Sequence, residues 1–431
     1  MRVQLAEFTL LGLLTGVEAR SIAASRTLKF NPDRVARGPA IPTSTLISDF
    51  KKNNVSASWA PGHPKVWGSE EVLFEGKYVM DVSDDQKFLA FAEGTNVTIR
   101  DAETQAYVSS FNVDYLGTPR SVTFQPALDD GYNVFVYATN YSTTNAAMDV
   151  VTQLHMSADA TFTGEQMPVV GRLSSFAGAF SPDHQRFTVY APTDYSQIAN
   201  EGVIHDVNNP NNTVNLTGHT DSIMSSSFSP DGTLISTAAW DGYAKVWNAS
   251  TGELLQDYGY SGAQNWLTSF SPDGKYLIVT IGGGINTVNL YTVANLSADP
   301  IQVTRWSGWI RYAAWSSNSK LLALGSYGLI QVWDVAQQKV VQRWEMEKQT
   351  DYESYDLTWI EAESGLKLAY RTTAGLEVYD FESNLKYRWG PDDFAQYDAS
   401  GSGEGAYVIE SKGWIGGADA DQNVRFYKFP I

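Results

Sequence analysis

The chain has 431 residues, a formal net charge of −18 at pH 7, 43% hydrophobic and 13% aromatic residues, and no cysteine. This apolar content is enough for a packed core and excludes a disordered chain, while the lack of cysteine excludes disulfide bonds. The negative charge disfavours binding to nucleic acids and to anionic membranes, and suits either solubility alone or cationic partners.

The first residues have the pattern of a secretory signal peptide. Arg2 precedes the apolar run FTLLGLLTGV, and Val17 and Ala19 place small residues at the positions that a signal peptidase requires. We therefore expect residues 1–19 to be removed and the protein to be secreted, to the extracellular space or the cell wall. The alternative is a buried N-terminal strand or helix. No later apolar run is long enough to cross a bilayer, so no membrane span is expected.

Residues 20–66 precede the repeats described below and are locally basic on an acidic protein. Within this segment, residues 20–37 contain five basic residues, Arg20, Arg26, Lys29, Arg34 and Arg37, and one acid, Asp33. Prolines at 32, 39, 42, 61 and 64 argue against a helix, so we expect an irregular extension. It either wraps an acidic face of the folded domain or is partly removed as a pro-segment.

Glycosylation sequons give an independent argument for secretion, because they exceed the number expected by chance. The asparagines in N-x-S/T sequences without an intervening proline are Asn54, Asn96, Asn140, Asn211, Asn215, Asn248 and Asn295. We expect a secreted glycoprotein.

The middle of the chain contains a repeat, which is clearest from Gly218 to Leu255, GHTDSIMSSSFSPDGTLISTAAWDGYAKVWNASTGELL. Two runs of alternating apolar residues flank the turn Ser229–Gly232, in which proline and glycine supply the backbone angles of a tight reversal. A second turn at residues 241–242 leads into the strand AKVW.

This unit closely resembles the WD repeat, and the chain as a whole resembles secreted members of the WD-repeat β-propeller family. The resemblance implies a buried structural tetrad of His219, Thr237, Asp241 and Trp247. Asp241 would hold His219, His219 would hold Thr237, and Thr237 would meet the indole N–H of Trp247. An Asp and a His together could also indicate catalysis, but the resemblance favours the structural role.

Two markers follow this unit along the chain, and both occur eight times in phase. The first marker, the aromatic or apolar end of the innermost strand, falls on Val82, Phe124, Phe180, Phe228, Phe270, Trp315, Trp359 and Tyr397. The second marker, the tryptophan position of the third strand, falls on Arg100, His155, His205, Trp247, Tyr291, Trp333, Tyr379 and Tyr427. Longer spacings in repeats two and three predict insertions near residues 140–147 and 194–201.

The eighth repeat predicts how the ring closes. Its third strand ends near Tyr427 with four residues left, so its outer strand must come from the N-terminal side, and we assign Val72–Phe74. The predicted fold is therefore an all-β, eight-bladed β-propeller over residues 67–431, built of four-stranded antiparallel blades and closed by an N-terminal strand. A seven-bladed ring is the alternative.

No catalytic motif is recognisable, because GxSxG, HExxH and P-loop sequences are all missing and cysteine is absent. Three of the five histidines, His155, His205 and His219, occupy structural positions of the repeat. We therefore predict no catalytic residues, no cofactor and no metal site. A divalent cation held by loop carboxylates stays open as an alternative. The acid pairs concerned are Asp129 with Asp130, Asp392 with Asp393, and Asp419 with Asp421.

The resemblance also implies a binding face, because WD-repeat proteins bind partners where the loops between blades meet the central channel. The residue before the tetrad aspartate and the residues at the start of the innermost strands point there. These rules select Trp240, Trp266, Trp309, Arg311, Tyr327 and Tyr355. Large aromatics and arginine are typical of interface hot spots, and such aromatics also stack on sugars. The alternative is that they pack between blades.

The sequence thus predicts a secreted, monomeric, non-enzymatic module that binds a protein or a glycan through its loop face. The alternative function is a propeller enzyme, a hydrolase, lyase or cyclase with its active site in the channel and possible dependence on a metal. An intracellular scaffold would require that the N-terminal segment is not cleaved.

Overall fold

A computed structural model describes a large part of the chain as an all-β ring. The described residues are 58–59, 70–74, 79–125, 131–141, 147–166, 168–173, 180–192, 198–283, 286–305, 309–326, 329–345, 354–362, 365–372, 375–389, 406–409, 412–418 and 423–428. They form eight sheets, each a blade of a β-propeller. Within these residues the helical structure is confined to two single-turn 3₁₀ helices, Asp114–Leu116 and Val293–Asn295.

The strands are numbered in chain order. Two of them, β1 (Ser58–Trp59) and β2 (Glu70–Phe74), precede the first blade. Blade one contains β3 (Val79–Val82), β4 (Phe88–Glu93), β5 (Asn96–Asp101) and β6 (Tyr107–Asn112). Blade two contains β7 (Thr118–Phe124), β8 (Tyr132–Tyr141), β9 (Ala147–Met156), β10 (Phe162–Glu165) and β11 (Val169–Val170). Blade three contains β12 (Arg172–Leu173), β13 (Arg186–Ala191), β14 (Glu201–Asp206) and β15 (Thr213–Leu216).

The central blades are the most regular. Blade four contains β16 (Ile223–Phe228), β17 (Leu234–Ala239), β18 (Ala244–Asn248) and β19 (Leu254–Asp257). Blade five contains β20 (Gln264–Phe270), β21 (Tyr276–Gly282), β22 (Thr287–Thr292) and β23 (Ile301–Arg305). Blade six contains β24 (Ile310–Trp315), β25 (Leu321–Ser326), β26 (Leu329–Asp334) and β27 (Lys339–Glu345).

The last two blades complete the ring. Blade seven contains β28 (Ser354–Ala362), β29 (Gly365–Thr372), β30 (Gly375–Asp380) and β31 (Leu385–Trp389). Blade eight contains β32 (Tyr407–Ile409), β33 (Trp414–Ala418) and β34 (Val424–Lys428).

Strands within a blade pair antiparallel in chain order. In blade four, Ser226 pairs with Thr237, Thr237 with Lys245, and Lys245 with Asp257. First strands of successive blades lie side by side, as β16 does with β20 and β24 with β28, so the first strand of each blade is innermost.

The ring closes through a strand that is distant in sequence. β2 pairs antiparallel with β34, with Leu73 opposite Arg425, so it is the outer strand of blade eight. β3 of blade one lies against β33 of blade eight. The predicted eight-bladed ring and its closing strand are therefore confirmed, and the seven-bladed alternative is wrong.

One strand lies within the N-terminal segment that the sequence predicted as irregular. β1 pairs parallel with β31, with Ser58 opposite Leu385 and Trp59 opposite Lys386, and it adds a fifth strand to blade seven. No sequence pattern predicts this strand, because two residues are too few for a period to be recognised.

The two sequence markers differ in how well they located the strands. All eight residues of the second marker lie on the third strands of their blades. The first marker was misplaced in the eighth repeat, since Tyr397 lies outside the described residues and the innermost strand there is β32, Tyr407–Ile409. That repeat lacks the Ser-Pro-Asp turn that fixed the marker in better repeats, which explains the error.

The core consists of apolar clusters between neighbouring blades, and every one of the junctions has such a cluster. At the closing junction, for example, Phe91 of blade one and Phe426 of blade eight belong to one cluster and are fully buried. Burying such a side chain contributes about 1.5–3 kcal/mol. Packing between blades therefore stabilises the ring even where repeats lack the tetrad.

Candidate functional site

The connections between blades and the turns between second and third strands share one face of the ring, here called the loop face. The backbone N–H of Trp240, in the turn after β17, donates to the carbonyl of Ser222, which precedes β16 (N···O 2.9 Å). On the other side of the same turn, the N–H of Ser261 donates to the carbonyl of Gly242 (2.9 Å). The loops of blades four and five therefore form one continuous surface.

Below this surface, blade four contains a buried relay of polar side chains. His219 Nδ1 lies 2.8 Å from Asp241 Oδ2, His219 Nε2 lies 2.8 Å from Thr237 Oγ1, and Trp247 Nε1 donates to Thr237 Oγ1 at 2.9 Å. Because an ionised carboxylate only accepts, His219 Nδ1 is the donor in the first bond. The relay ties the loop before β16 to the two central strands of the blade, so its role is structural.

The Asp241 carboxylate is held in its ionised form. Burial raises the pKa of Asp241, but the hydrogen bond and charge of His219 and the backbone N–H groups of Thr220 and Tyr243 outweigh burial, so the net pKa lies below the ordinary value. The N–H groups of Thr220 and Tyr243 donate at 3.0 and 2.9 Å. A carboxylate fixed by so many donors anchors the loop instead of exchanging protons.

The innermost strands share a shift of register near their loop-face end. In blade five, Asn265 pairs with Ile281 and Leu267 with Thr280, which leaves Trp266 without a partner in the ladder. Arg311 in blade six and Met224 in blade four occupy the equivalent position. The same shift occurs at Arg120 in blade two and Asp356 in blade seven. A β-bulge redirects the side chain of the extra residue, and bulges are frequent next to functional sites.

This backbone geometry brings together four of the residues that the sequence assigned to the binding face. The ring centroids of Trp240 and Trp266 lie 5.2 Å apart at an interplanar angle of 63°, and those of Trp266 and Trp309 lie 5.1 Å apart at 31°. The guanidinium carbon of Arg311 lies 4.7 Å from the Trp266 centroid and 5.0 Å from the Trp309 centroid. We call Trp240, Trp266, Trp309 and Arg311 the tryptophan–arginine cluster.

The cluster is part core and part surface. Trp266 is 8% exposed and belongs to the large apolar cluster of blades four to seven, whereas Trp240 and Trp309 are half-buried and pack against it. Met224, redirected by its own bulge, packs in the same core. These residues therefore pack between blades, and Trp240 and Trp309 also stay partly exposed, while their role in binding stays a prediction.

Two indole donors of the cluster have no acceptor within the described part of the chain. The indole nitrogens of Trp240 and Trp266 are buried, and neither finds an acceptor among the described residues. Buried donors are normally satisfied by protein or by water, so an acceptor from outside this set is needed here. The three indole rings and the Arg311 guanidinium otherwise offer apolar contact and positive charge. None of these groups acts as a nucleophile or as a general base.

The remaining predicted site residues are less informative. Tyr327 lies outside the described residues, and Tyr355 lies on β28 with its backbone opposite Arg371. Among the sequon asparagines, Asn96, Asn211, Asn215 and Asn295 are exposed and Asn248 is half-buried. Asn54 lies outside the described residues, and the side chain of Asn140 on β8 does as well.

No group of three His, Cys, Asp or Glu side chains able to hold a metal occurs among the described residues. The three acidic pairs proposed as a cation site lie outside that set. In the same part of the chain, no helix has both the length and the apolar character that a membrane crossing needs.

Sequence reasoning missed two contributors to the cluster. Met224 stands at the same bulge position as Trp266 and Arg311, and its register near the start of the innermost strand was the signal that identifies it. Gly282 is the other, because a Cβ atom there would lie 3.0 Å from Trp266 Cδ1 and Nε1 and 3.3 Å from Trp309 Cγ. Glycine thus makes room for the indole rings.

The family model that matches this chain is the WD domain, G-beta repeat, over residues 210–248, which cover blade four from before its tetrad histidine to its third strand. The fold agrees with a solved propeller. A crystal structure of Chaetomium thermophilum Sqt1 bound to the N-terminus of ribosomal protein L10 aligns with a TM-score of 0.59 at 15% identity, covering 84% of this chain and 100% of that one.

Two proteins that are similar in sequence match a segment of this chain. The chicken serine-threonine kinase receptor-associated protein is 28% identical over 117 residues, 27% of this chain and 33% of the relative. Human apoptotic protease-activating factor 1 is 40% identical over 85 residues, 18% of this chain and 7% of the relative. The chain therefore matches about a third of the length of the first of these relatives and much less of the second.

Proposed function

We propose that this WD-repeat β-propeller is a non-enzymatic platform that binds a protein partner at its loop face, with the tryptophan–arginine cluster as the centre of the interface. The observation that carries the proposal is the convergence of Trp240, Trp266, Trp309 and Arg311 from three consecutive blades. Tryptophan and arginine are the residues most enriched among interface hot spots.

The side chains of the cluster are packed against one another before any partner arrives, which favours affinity. Trp266 is packed into the core, and its neighbours Trp240 and Trp309 rest on it through ring contacts near 5 Å. Side chains that are already ordered lose little conformational entropy on binding. The two indole N–H groups, for which no described residue is an acceptor, add donors that a partner's carbonyl oxygen, or a water held by the partner, would satisfy.

A protein fits this cluster better than a glycan does. Sugars stack on open ring faces, but the Arg311 guanidinium already lies over both Trp266 and Trp309. The net charge of −18 attracts partners with an excess of lysine and arginine over long range. We therefore propose a positively charged partner that places an apolar side chain against Trp240 and Trp309. The Sqt1 propeller, which is crystallised with the N-terminus of a ribosomal protein, is an example of a fold of this kind holding a protein segment.

The proposal is tested by quantitative affinity capture from culture fluid and cell wall with the wild-type chain and matched variants. Trp309→Ala and Trp240→Ala truncate half-buried members of the cluster, and Tyr107→Ala removes an aromatic that is 59% exposed on the outer strand of blade one. We expect one set of proteins to be depleted at least tenfold by either tryptophan variant and retained by Tyr107→Ala. An identical captured set for all four chains would contradict the proposal.

We also propose that the protein is secreted as an N-glycosylated monomer and that its binding function needs no cofactor. The N-terminal pattern and the exposure of Asn96, Asn211, Asn215 and Asn295 support this. Intact-mass analysis of the recovered protein before and after enzymatic deglycosylation tests it. Loss of residues 1–19 and a mass decrease on deglycosylation are expected. Recovery of only unmodified full-length chain from the cytosol would contradict it.

A further inference from the structure

A cavity of about 280 Å³ lies between blades four and five, beside the tryptophan–arginine cluster. It is bounded by the connection that leaves β19 and by the central strands of blade five. Part of its lining is apolar, with Ala244, Val279 and Ile281, and the rest is polar, with Tyr258, Asn265 and Asn289 among others. Asn265 precedes Trp266 on β20, so the cavity and the cluster are neighbours on the loop-face side.

Polar atoms in this lining have unused hydrogen-bonding capacity. The Tyr258 hydroxyl and the Asn289 Oδ1 atom are buried, and neither has a hydrogen-bond partner among the described residues. Asn289 uses its amide nitrogen to donate to the Tyr291 hydroxyl at 3.2 Å. Leaving such groups unpaired costs free energy. A bound molecule with both hydrogen-bond donors and acceptors would pair with them.

The lining is electrically neutral. Among the described residues that line it, the ionisable side chains are Tyr258 and Tyr291, whose rings stack with centroids 3.9 Å apart. Burial, and for Tyr258 also the neighbouring Tyr291, raises the pKa of both hydroxyls above the ordinary value, so both stay protonated at neutral pH. A ligand with a carboxylate, phosphate or ammonium group would lose hydration without gaining an ionic partner.

We propose that this cavity binds a neutral, hydroxyl-rich small molecule of the size of one hexose unit. Ligand sites usually measure about 300–1,000 Å³, so this cavity suits a compound at the small end. A pyranose ring presents both apolar C–H groups, which match Ala244, Val279 and Ile281, and hydroxyl groups that donate and accept. This inference does not depend on the proposed protein-binding function.

The experiment is a binding titration of the full chain against a panel of single compounds, followed by saturation-transfer NMR and calorimetry. The panel contains glucose, mannose, galactose and inositol, with glucuronate and glucosamine as charged counterparts. We expect at least one neutral compound to bind with one-to-one stoichiometry, and each charged counterpart to bind at least tenfold more weakly. The methyl glycoside and a disaccharide of the best hexose distinguish a free sugar from the terminal unit of a glycan.

Matched variants assign the binding to the cavity. Tyr258→Phe removes the unpartnered hydroxyl, and Tyr260→Phe removes the hydroxyl of a tyrosine that is 66% exposed on the same connection. We expect Tyr258→Phe to weaken binding at least tenfold and Tyr260→Phe to leave it within twofold. Because no described residue pairs with the Tyr258 hydroxyl, the midpoint of urea unfolding of ligand-free Tyr258→Phe should equal or exceed that of the wild type.

A second variant, Asn289→Ala, tests the same site from β22 and should also weaken binding at least tenfold. The proposal is overturned if no neutral compound in the panel binds, which would leave a cavity that holds only solvent. It is equally overturned if the wild type, Tyr258→Phe and Asn289→Ala bind with the same affinity.

Discussion

The indole rings of Trp266 and Trp309 lie with their centroids 5.1 Å apart across the junction between blades five and six, and the Arg311 guanidinium lies over both. Trp266 belongs to blade five, whereas Trp309 and Arg311 belong to blade six. The cluster therefore exists only when the ring is folded. Its geometry can be perturbed from the backbone as well as by truncating its side chains.

Gly282→Ala should disturb the cluster without removing any of its side chains. The new Cβ would lie 3.0 Å from two atoms of the Trp266 indole and 3.3 Å from Trp309, so the rings must move. Over-packing of this kind costs about 1–3 kcal/mol. We expect a loss of that size in the free energy of unfolding, measured in urea, together with weaker capture of the proteins that depend on Trp309.

Gly164→Ala on β10 is the matched control, because its nearest neighbour, His155 Cδ2, lies 4.0 Å from the added Cβ. It should change the free energy of unfolding by less than about 0.5 kcal/mol and leave the capture of partner proteins unchanged. If Gly282→Ala leaves partner capture unchanged while Trp309→Ala abolishes it, binding does not depend on the exact position of the indole rings.

Asp241→Ala should destabilise the ring through the tetrad. Three groups donate to this carboxylate, His219 Nδ1 and the N–H groups of Thr220 and Tyr243, and the substitution leaves the buried imidazole without its acceptor. The expected loss is about 1–3 kcal/mol in the free energy of unfolding by urea. The exposed Asp299 offers the control, and an Asp299→Ala loss equal to that of Asp241→Ala would refute the structural role.

The closing strand predicts a sharp boundary for N-terminal truncation. A chain that begins at residue 70 keeps β2 and its antiparallel pairing with β34, whereas a chain that begins at residue 78 loses both. Both chains lack β1, so they differ only in the closing strand and the three residues that follow it. We expect the shorter chain to lose at least about 2 kcal/mol of unfolding free energy, because the edge of β34 is left unpaired. Equal stability of the two chains would show that the ring does not depend on this closure.

Stability should fall on acidification in two stages. Burial lowers the pKa of His155 and His205, so the folded state prefers the neutral rings and loses stability as the pH falls below the unfolded value of about 6.5. The hydrogen bond from the Ser229 hydroxyl is the main cause that lowers the pKa of Asp231. The pKa of Asp241 is also lowered, as described above. Their contribution is present above about pH 4 and is lost as the pH falls through the folded pKa.

The histidine stage can be isolated with one variant. His205 stacks on Phe187 at 5.2 Å in the position that tryptophan occupies in blade four, so phenylalanine is a reasonable replacement. Urea unfolding at roughly pH 7.5 and 5.5 should show a smaller pH dependence for His205→Phe than for the wild type. An unchanged difference between the two pH values would contradict the assigned role of His205.

The fold was predictable because its signal is repeated. The third strands could be placed in all eight blades from one position each, since that position is apolar or aromatic in most repeats and the spacing is regular. The innermost strand of blade eight could not be placed. Aromatic residues such as Tyr397 are common throughout this chain, and one of them marks the end of an innermost strand only when a recognisable turn follows it. β1 left no pattern at all.

The site was predictable only in part. Register places Trp240, Trp266, Trp309 and Arg311 on one face, but it does not show that they touch, since contact depends on the bulges and on the space at Gly282. The cavity was missed because Tyr258 lies on the connection after β19 and Asn289 on β22 of blade five, and neither residue alone indicates a site. Buried polar residues facing a neighbouring blade, such as Asn265, were the available signal.

The central claim is that the partner sits on the loop face at the tryptophan–arginine cluster. Hydrogen-exchange mass spectrometry of the chain alone and with a captured partner tests this directly. The account predicts protection of the turn at 240–243 and of the starts of β20 and β24, with no change at the opposite turns such as Ser229–Gly232. Protection confined to those opposite turns or to the outer strands would contradict it.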